Sequence, residues 1–307
     1  MNDQRESMLE RIFSDLLQNQ NPDGGWGTLR GKRSNTESTS LAVTALTALP
    51  EIAATANRKR GIDWLVRQQN QDHSWPLNET AKEGSWTTAL ATMALSDDPQ
   101  NSDRALAGAR WLLEQEGSKP GILAELILWA RGKSAINKVN NDLIGWSWVP
   151  NSFSWVEPTS YALIAVKKLR ARLAGTSVDE RIRQADAMIY DRMCDGGGWN
   201  YGNSKVLDYA LWPYPDITAV ALIATQDHLR ERANQQSLQV LDRIARETDS
   251  GLALGWAAIC LNIYRQDNSD FLTQIDKRFI ATGFLGETKS LALALIALGS
   301  KANPFRF

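Results

Sequence analysis

The chain has 307 residues and a formal net charge of −1 at pH 7, so no basic field indicates a nucleic-acid partner. The chain contains two cysteines, which fit a reducing cytoplasm and supply no disulfide framework. It contains two histidines, too few for a histidine-rich metal site. The charged N-terminus lacks the apolar core of a signal peptide, and no segment approaches the roughly 18 apolar residues of a membrane span. We therefore expect a cytoplasmic protein whose only membrane contact would be peripheral.

Two kinds of helix are predicted, and they alternate along the chain. Amphipathic stretches with one charged face occupy residues 6–20, 57–70, 102–117, 179–193, 235–247 and 271–282. Short runs rich in Ala and Leu, apolar on nearly every side, occupy residues 39–49, 87–95, 159–169, 218–225, 252–261 and 290–298. An apolar helix of that length belongs in a protein interior.

This alternation predicts an all-α fold in which the apolar helices form an inner barrel and the amphipathic helices surround it. An open array of hairpins would need a polar cap at each end. The last hairpin is as apolar as the middle ones, so we expect the array to close. The prediction is an α/α toroid of about six helical hairpins, a single domain over residues 1–307. Because residues 117–155 are irregular, the sequence allows either six or seven hairpins in the ring.

Several of the predicted hairpins are joined by a turn that contains glycine and tryptophan. Residues 20–26 read Gln-Asn-Pro-Asp-Gly-Gly-Trp, residues 69–75 keep the glutamine and tryptophan, and residues 193–199 keep the glycine and tryptophan. A degenerate copy lies at 145–155, and the chain contains 12 tryptophans in all. Glycine tolerates the positive φ that ends a helix, while glutamine can bond exposed backbone and tryptophan can pack over it. An excess of tryptophan indicates a repeated packing motif, an aromatic-lined cavity, or both.

These turns resemble the Q-x3-G-x-W (QW) repeat of the squalene-cyclase and prenyltransferase β-subunit superfamily, whose members contain prenyltransferase and squalene oxidase repeats. The resemblance extends over essentially the whole chain. It implies the same α/α toroid, but the turns are structural and do not by themselves indicate a reaction.

Acidic residues recur at the starts of the predicted inner helices. Glu37, Glu157 and Asp216 each stand two positions before a threonine, and Glu287 stands three before a serine. All inner helices of a toroid point the same way, so these acids should meet at one mouth of the barrel. Each could equally be a helix cap, worth about 0.5–2 kcal/mol, that binds free backbone N–H groups.

Asp216 is the candidate catalytic acid because of the resemblance. Alignment on Thr218 matches it to the proton-donating aspartate of the D-x-D-D-T segment in squalene-hopene cyclases. Tyr214 and Ile217 occupy the other two acidic positions, where this chain departs from the motif. In the zinc-dependent prenyltransferases the position of Thr218 is a cysteine that binds the metal. A hydroxyl is a poor replacement for a thiolate ligand, which argues against a zinc-dependent prenyltransferase.

The leading hypothesis is a class II terpene (squalene-hopene) cyclase-like protein. Such an enzyme cyclises an isoprenoid in an apolar cavity after protonating it, and needs neither a metal nor an organic cofactor. We expect Trp155, Trp212, Tyr214, Glu37 and Glu157 to contribute to substrate binding. The tryptophans could stabilise carbocations through their π faces or simply pack.

Squalene cyclases contain two helical domains, and this chain has the length for one toroid. A homodimer, a partner chain or a membrane surface could therefore complete the cavity. Two alternatives remain: a non-catalytic lipid-binding or scaffold toroid, and a zinc-independent prenyltransferase-like enzyme acting on diphosphates. An acid deep in an apolar cavity would favour the cyclase, and an acid at an open, wet mouth would favour the binding protein.

Overall fold

The computed structural model describes residues 2–49, 55–115, 117, 140, 142–173, 175–206, 209–299 and 302–307. Its helices, numbered in chain order, are α1 (Asn2–Gln18), α2 (Thr36–Ala48), α3 (Thr55–Gln68), α4 (Thr87–Ser96), α5 (Ser102–Glu114), α6 (Val156–Lys168), α7 (Arg170–Leu173), α8 (Thr176–Asp191), α9 (Pro215–Ala224), α10 (Arg232–Arg246), α11 (Gly251–Ile263), α12 (Ser269–Thr282) and α13 (Thr288–Gly299). Two short strands, β1 (Lys205–Val206) and β2 (Tyr209–Ala210), pair antiparallel. Residues 118–139 lie outside the described residues. They form most of the irregular segment on which the choice between six and seven hairpins depends.

The six apolar runs form the inner helices α2, α4, α6, α9, α11 and α13. Each contacts the next in that order, and α13 contacts α2, so the described inner helices form a closed ring. Helix α1 packs against α13, while α3, α5, α8, α10 and α12 each pack on the inner helix that precedes them. The predicted all-α toroid is confirmed. No helix among the described residues is long and apolar enough to cross a membrane.

One hydrogen-bond pattern joins the turns to four of the inner helices. The backbone N–H of each turn tryptophan donates to a buried threonine hydroxyl on the following inner helix, at 2.8–3.0 Å; the pairs are Trp26–Thr39, Trp75–Thr88, Trp146–Thr159 and Trp199–Thr218. The indole Nε1 of the same tryptophan donates to a backbone carbonyl near the end of the preceding outer helix; the acceptors are Leu16, Leu65, Leu112 and Ile189. We call Thr39, Thr88, Thr159 and Thr218 the brace threonines, because each fixes the start of its helix against a turn.

The glutamine of the turn binds backbone, as its position predicts. Gln20 Nε2 donates to the carbonyls of Gly24, at 2.8 Å, and of Asn57 in α3, at 2.9 Å. In the second copy His73 replaces the motif glycine and still has a φ of +70°, close to the +95° of Gly24. The left-handed conformation is therefore a requirement of the turn, and histidine meets it at some conformational cost.

The C-terminal end of the inner barrel is closed by the chain's own tail. The Phe305 ring is buried with its centroid 4.9 Å from that of Trp256, and Gln226 Nε2 donates to the Phe305 carbonyl at 2.9 Å. Beside it, the buried Lys167 ammonium lies 2.8 Å from carboxylate oxygens of both Asp186 and Asp227. The tail and this ion-pair network together join the helix ends on this side of the barrel.

Replacing a brace threonine with valine should destabilise the protein. Thr88→Val keeps the shape of the side chain but leaves the buried N–H of Trp75 without an acceptor, at a cost of about 1–3 kcal/mol. The free energy of unfolding from urea titration measures this loss. Thr88→Ser keeps the hydroxyl and is the matched control. Equal stability of the two variants would contradict the structural role of the bond.

Candidate functional site

The residue two positions before each brace threonine lies at the rim of the N-terminal mouth. These residues are Glu37 on α2, Glu157 on α6, Asp216 on α9 and Trp86, the N-cap of α4. Thr288 begins α13. The brace threonines face outward to the turns, so helical periodicity directs the residue two positions earlier toward the barrel axis. The rim therefore combines three acids with one tryptophan.

The barrel interior below the rim is filled with side chains. Positions four and seven residues after the rim residues share their face of the helix. They are Leu41, Leu90, Tyr161, Val220 and Ala292 in one layer and Thr44, Met93, Ile164, Ile223 and Leu295 in the next, all buried. The Tyr161 and Trp256 rings, on inner helices that are not neighbours, approach to 6.0 Å between centroids. These buried side chains pack along the barrel axis, so we take the mouth, and not the interior of the ring, as the candidate site.

One of the three acids has a cationic partner. Lys289 Nζ lies 3.0 Å from Glu37 Oε1, and this ion pair joins the starts of α13 and α2, where the ring closes. Burial disfavours the ammonium and is the largest single effect, but the charge and hydrogen bond of Glu37 together with the carboxylates of Glu287 and Glu157 raise the pKa of Lys289. The lysine is therefore charged and held by Glu37.

Glu157 is the most strongly perturbed acid of the site. Burial raises its pKa to about 8, and the carboxylates of Glu37 and Asp216 add to the shift. Burial also raises the pKa of Asp216, but backbone N–H groups of Ile217 and of Asp216 itself bind its carboxylate and oppose the increase. The mutual repulsion indicates that the acids of α2, α6 and α9 lie close together at the mouth.

An aromatic wall adjoins Glu157, and the sequence analysis did not identify it. The Tyr161 hydroxyl lies 3.3 Å from Glu157 Oε1, and the Tyr161 ring stacks on Trp86 at 5.7 Å between centroids. Trp148 packs edge-on against Trp86 at 5.0 Å. The four-residue spacing between Glu157 and Tyr161 was the available signal, because residues so spaced share a helix face. Lys289 gave no comparable signal, since no other predicted inner helix has a lysine near its start.

The other predicted site residues have different surroundings. Tyr214 lies near the acids: its ring is 5.7 Å from that of Tyr201, whose pKa is raised by burial and by Asp216 and Glu157. Trp155 is half-buried against the backbone of Gly202. Trp212 has 82% of its surface exposed, so its ring contributes no buried face to the mouth. Glu287, just before α13, accepts a hydrogen bond from the side-chain hydroxyl of Ser290 at 2.5 Å, so this bond ties the glutamate to the first turn of the helix.

The raised pKa of Glu157 predicts a pH dependence of stability. Between its usual pKa and about 8 the folded chain binds a proton that the unfolded chain releases, so stability falls as the pH rises through this range. Glu157→Gln removes the penalty. We expect wild type and Glu157→Gln to be equally stable at pH 5. At pH 9 the variant should have a free energy of unfolding higher by roughly 2–4 kcal/mol. This is less than the full pKa shift of Glu157 implies, because the carboxyl retains some solvent contact.

Urea titrations of wild type and variant from pH 5 to pH 9 measure this effect. Glu37→Gln is the contrasting variant, because it leaves the half-buried Lys289 without its ion-pair partner and should lower stability at every pH. Parallel pH profiles for wild type and Glu157→Gln would show that Glu157 titrates normally.

Comparisons with known proteins agree with this architecture. Residues 1–85 match the family model described as the squalene-hopene cyclase C-terminal domain. The resemblance to the squalene-cyclase superfamily is thereby confirmed, on a match to the first hairpins. A comparison with curated proteins gave no match.

Solved structures show the same fold at low sequence identity. A novel alpha-amylase from Clostridium perfringens superposes with a TM-score of 0.64 at 11% identity, over 96% of this chain and 98% of that one. The type II terpene cyclase MstE from Scytonema gives 0.54 at 16% identity, over 94% and 79% of the two chains. Cellobiose 2-epimerase from Bacillus thermoamylovorans gives 0.59 at 12% identity, over 92% and 88%. At these identities the likeness concerns the fold alone.

Proposed function

We propose that the chain is a class II terpene cyclase-like enzyme, in which the acids at the barrel mouth protonate an isoprenoid and start its cyclisation. The observation that carries this proposal is the group formed by Glu37, Glu157 and Asp216, which contains a carboxyl that is neutral near pH 7 beside an aromatic wall. A neutral carboxyl can donate a proton to an alkene, which an ionised one cannot. The family model that matches residues 1–85 is that of a cyclase domain, and the matched part contains Glu37.

The aromatic wall suits the intermediate of such a reaction. Protonation of an alkene leaves a carbocation, and the π face of Trp86, a half-buried ring at the rim, attracts a positive charge. The carboxylates of Glu37 and Asp216 favour the same charge electrostatically. No metal or organic cofactor has a step in this reaction.

The filled interior places the substrate at the mouth. Tyr209, Leu211 and Trp212 are exposed on the β1–β2 hairpin and just after it. This apolar surface supports a cavity completed by a second copy, a partner chain or a peripheral membrane contact.

Two alternatives use the same mouth without this chemistry. The position of the acids at the mouth, and not deep in an apolar cavity, favours a non-catalytic lipid-binding or scaffold toroid, which needs the apolar surface but no neutral carboxyl. A zinc-independent prenyltransferase-like enzyme would bind a diphosphate, which three acids and a single lysine disfavour.

Carbohydrate chemistry is a second candidate function. Grouped carboxyl groups at a solvent-accessible mouth can act as general acid and base on a glycosidic bond. The exposed ring of Trp212 offers a flat surface to a sugar, and a filled barrel favours a polar substrate over a long apolar one. An amylase and an epimerase share the fold, although that likeness does not extend to function.

Incubation of the full chain with linear isoprenoids and their diphosphates, followed by mass spectrometry, tests the proposal. We expect the wild type to form a cyclised product with the mass of its substrate, carrying one deuterium when the reaction runs in D₂O. Asp216→Asn should reduce the rate by about 10²-fold or more, because it removes a carboxyl of the reacting group. Asp63→Asn, on the exposed surface of α3, is the control and should leave the rate unchanged.

Three other results would each decide against the cyclase. Retention of intact lipid by wild type and Asp216→Asn alike, without product, indicates a binding toroid. Release of inorganic diphosphate with transfer of the prenyl group indicates a prenyltransferase. Cleavage or epimerisation of an oligosaccharide panel moves the assignment to carbohydrates.

A further inference from the structure

Among the residues that the structure describes, the acids of the mouth outnumber their cationic partners. With Glu37, Glu157 and Asp216 all ionised, Lys289 would offset only one of three negative charges, and it is already paired with Glu37 at 3.0 Å. Like charges in a half-buried site favour protonation of one of them. The mouth should therefore hold a proton at neutral pH, and the surroundings of Glu157 and Asp216 determine which of the two carries it.

The residue that follows each acid distinguishes Asp216 from Glu157. Both occupy the second position of their helices, where free backbone N–H groups stabilise a carboxylate. Asp216 is followed by Ile217, whose N–H binds its carboxylate. Glu157 is followed by Pro158, which has no N–H to donate. The helix start thus stabilises the anion of Asp216 and provides less for the anion of Glu157.

The remaining groups that face Glu157 do not compensate for this difference. From α2 and α9 it faces the carboxylates of Glu37 and Asp216, and from its own helix the hydroxyl of Tyr161 at 3.3 Å. Lys289 of α13 lowers its pKa, but by less than burial and the two carboxylates raise it. Trp86 of α4 contributes an uncharged ring beside Tyr161.

We propose that Glu157, and not Asp216, holds the proton of this site and donates it to the substrate, while Asp216 is the carboxylate that accepts the proton at the end of the reaction. The assignment rests on the proposed function for its catalytic part. It replaces the expectation, drawn from alignment on Thr218, that Asp216 is the donor. Asp216 remains essential, in the opposite role.

The step balances without an oxidant or reductant. The O–H bond of Glu157 breaks, and the π electrons of the terminal alkene form a C–H bond to its proton, leaving a cation on the more substituted carbon. The π electrons of a second alkene close the ring. A C–H bond next to the final cation breaks, its proton passes to the Asp216 carboxylate, and its electron pair forms the new alkene. The product is an isomer of the substrate, and transfer of the proton from Asp216 to Glu157 restores the site.

Infrared spectroscopy of the full chain locates the proton directly, without substrate. We expect wild type at pH 7 to show the C=O stretch of a protonated carboxyl, which disappears as the pH rises past about 8. Glu157→Gln should abolish the band. Asp216→Asn should keep it, with a lower titration midpoint, because a repelling carboxylate has been removed. A band that persists in Glu157→Gln and vanishes in Asp216→Asn would overturn the assignment.

The catalytic part is tested by pH–rate profiles of product formation. In wild type kcat/KM should fall as the pH rises above the pKa of Glu157, which gives the profile an alkaline limb. Glu157→Asp should retain some activity and move this limb to another pH. Glu157→Gln should lose about 10²–10⁴-fold in rate. An unmoved limb in Glu157→Asp would exclude Glu157 as the donor. If the wild type forms no product, the proposed function fails, and the infrared result still decides which residue holds the proton.

Discussion

The hydrogen bond from a turn tryptophan to a brace threonine is the interaction on which the rest of the structure depends. Its four copies fix where an inner helix begins and which way its first turn faces. With the threonine held outward, the residue two positions earlier must face the barrel axis. The bond therefore stabilises both the ring and the arrangement of the site. If the tryptophan bonded to a different residue of the inner helix, that helix would rotate and the rim acids would move away from one another.

The site imposes a cost that the ring must offset. Holding three acids in a half-buried mouth with a single lysine opposes folding, and the raised pKa of Glu157 expresses that opposition. The inner helices, buried along nearly their whole length, supply the compensating hydrophobic energy. A stable scaffold that carries an unfavourable charge arrangement is typical of functional sites, where selection acts on chemistry rather than on stability.

The toroid itself does not select a reaction. Structures that share it at 10–16% identity include a terpene cyclase and enzymes of carbohydrate chemistry. What these folds provide is a ring of helix starts that point to one mouth, where side chains from several helices can meet. In this chain the layers below the mouth are closed by Tyr161 and Trp256, and the opposite end by Phe305. Under the proposed function a substrate would bind at the rim, where the rim residues would decide the chemistry.

The sequence by itself determined the six inner helices, their alternation with amphipathic partners, the closure of the ring and the position of three acids at its mouth. These features follow from local periodicity and from a repeated turn, which a single chain displays directly. Only the tertiary structure decided that Lys289 pairs with Glu37, that Tyr161 and Trp256 fill the interior, that Trp212 is exposed, and that Glu157 is the perturbed acid. The physical reason is that burial and charge interactions depend on distances across the ring. Those distances join residues far apart in the chain, 252 positions for Glu37 and Lys289, and no local pattern encodes them.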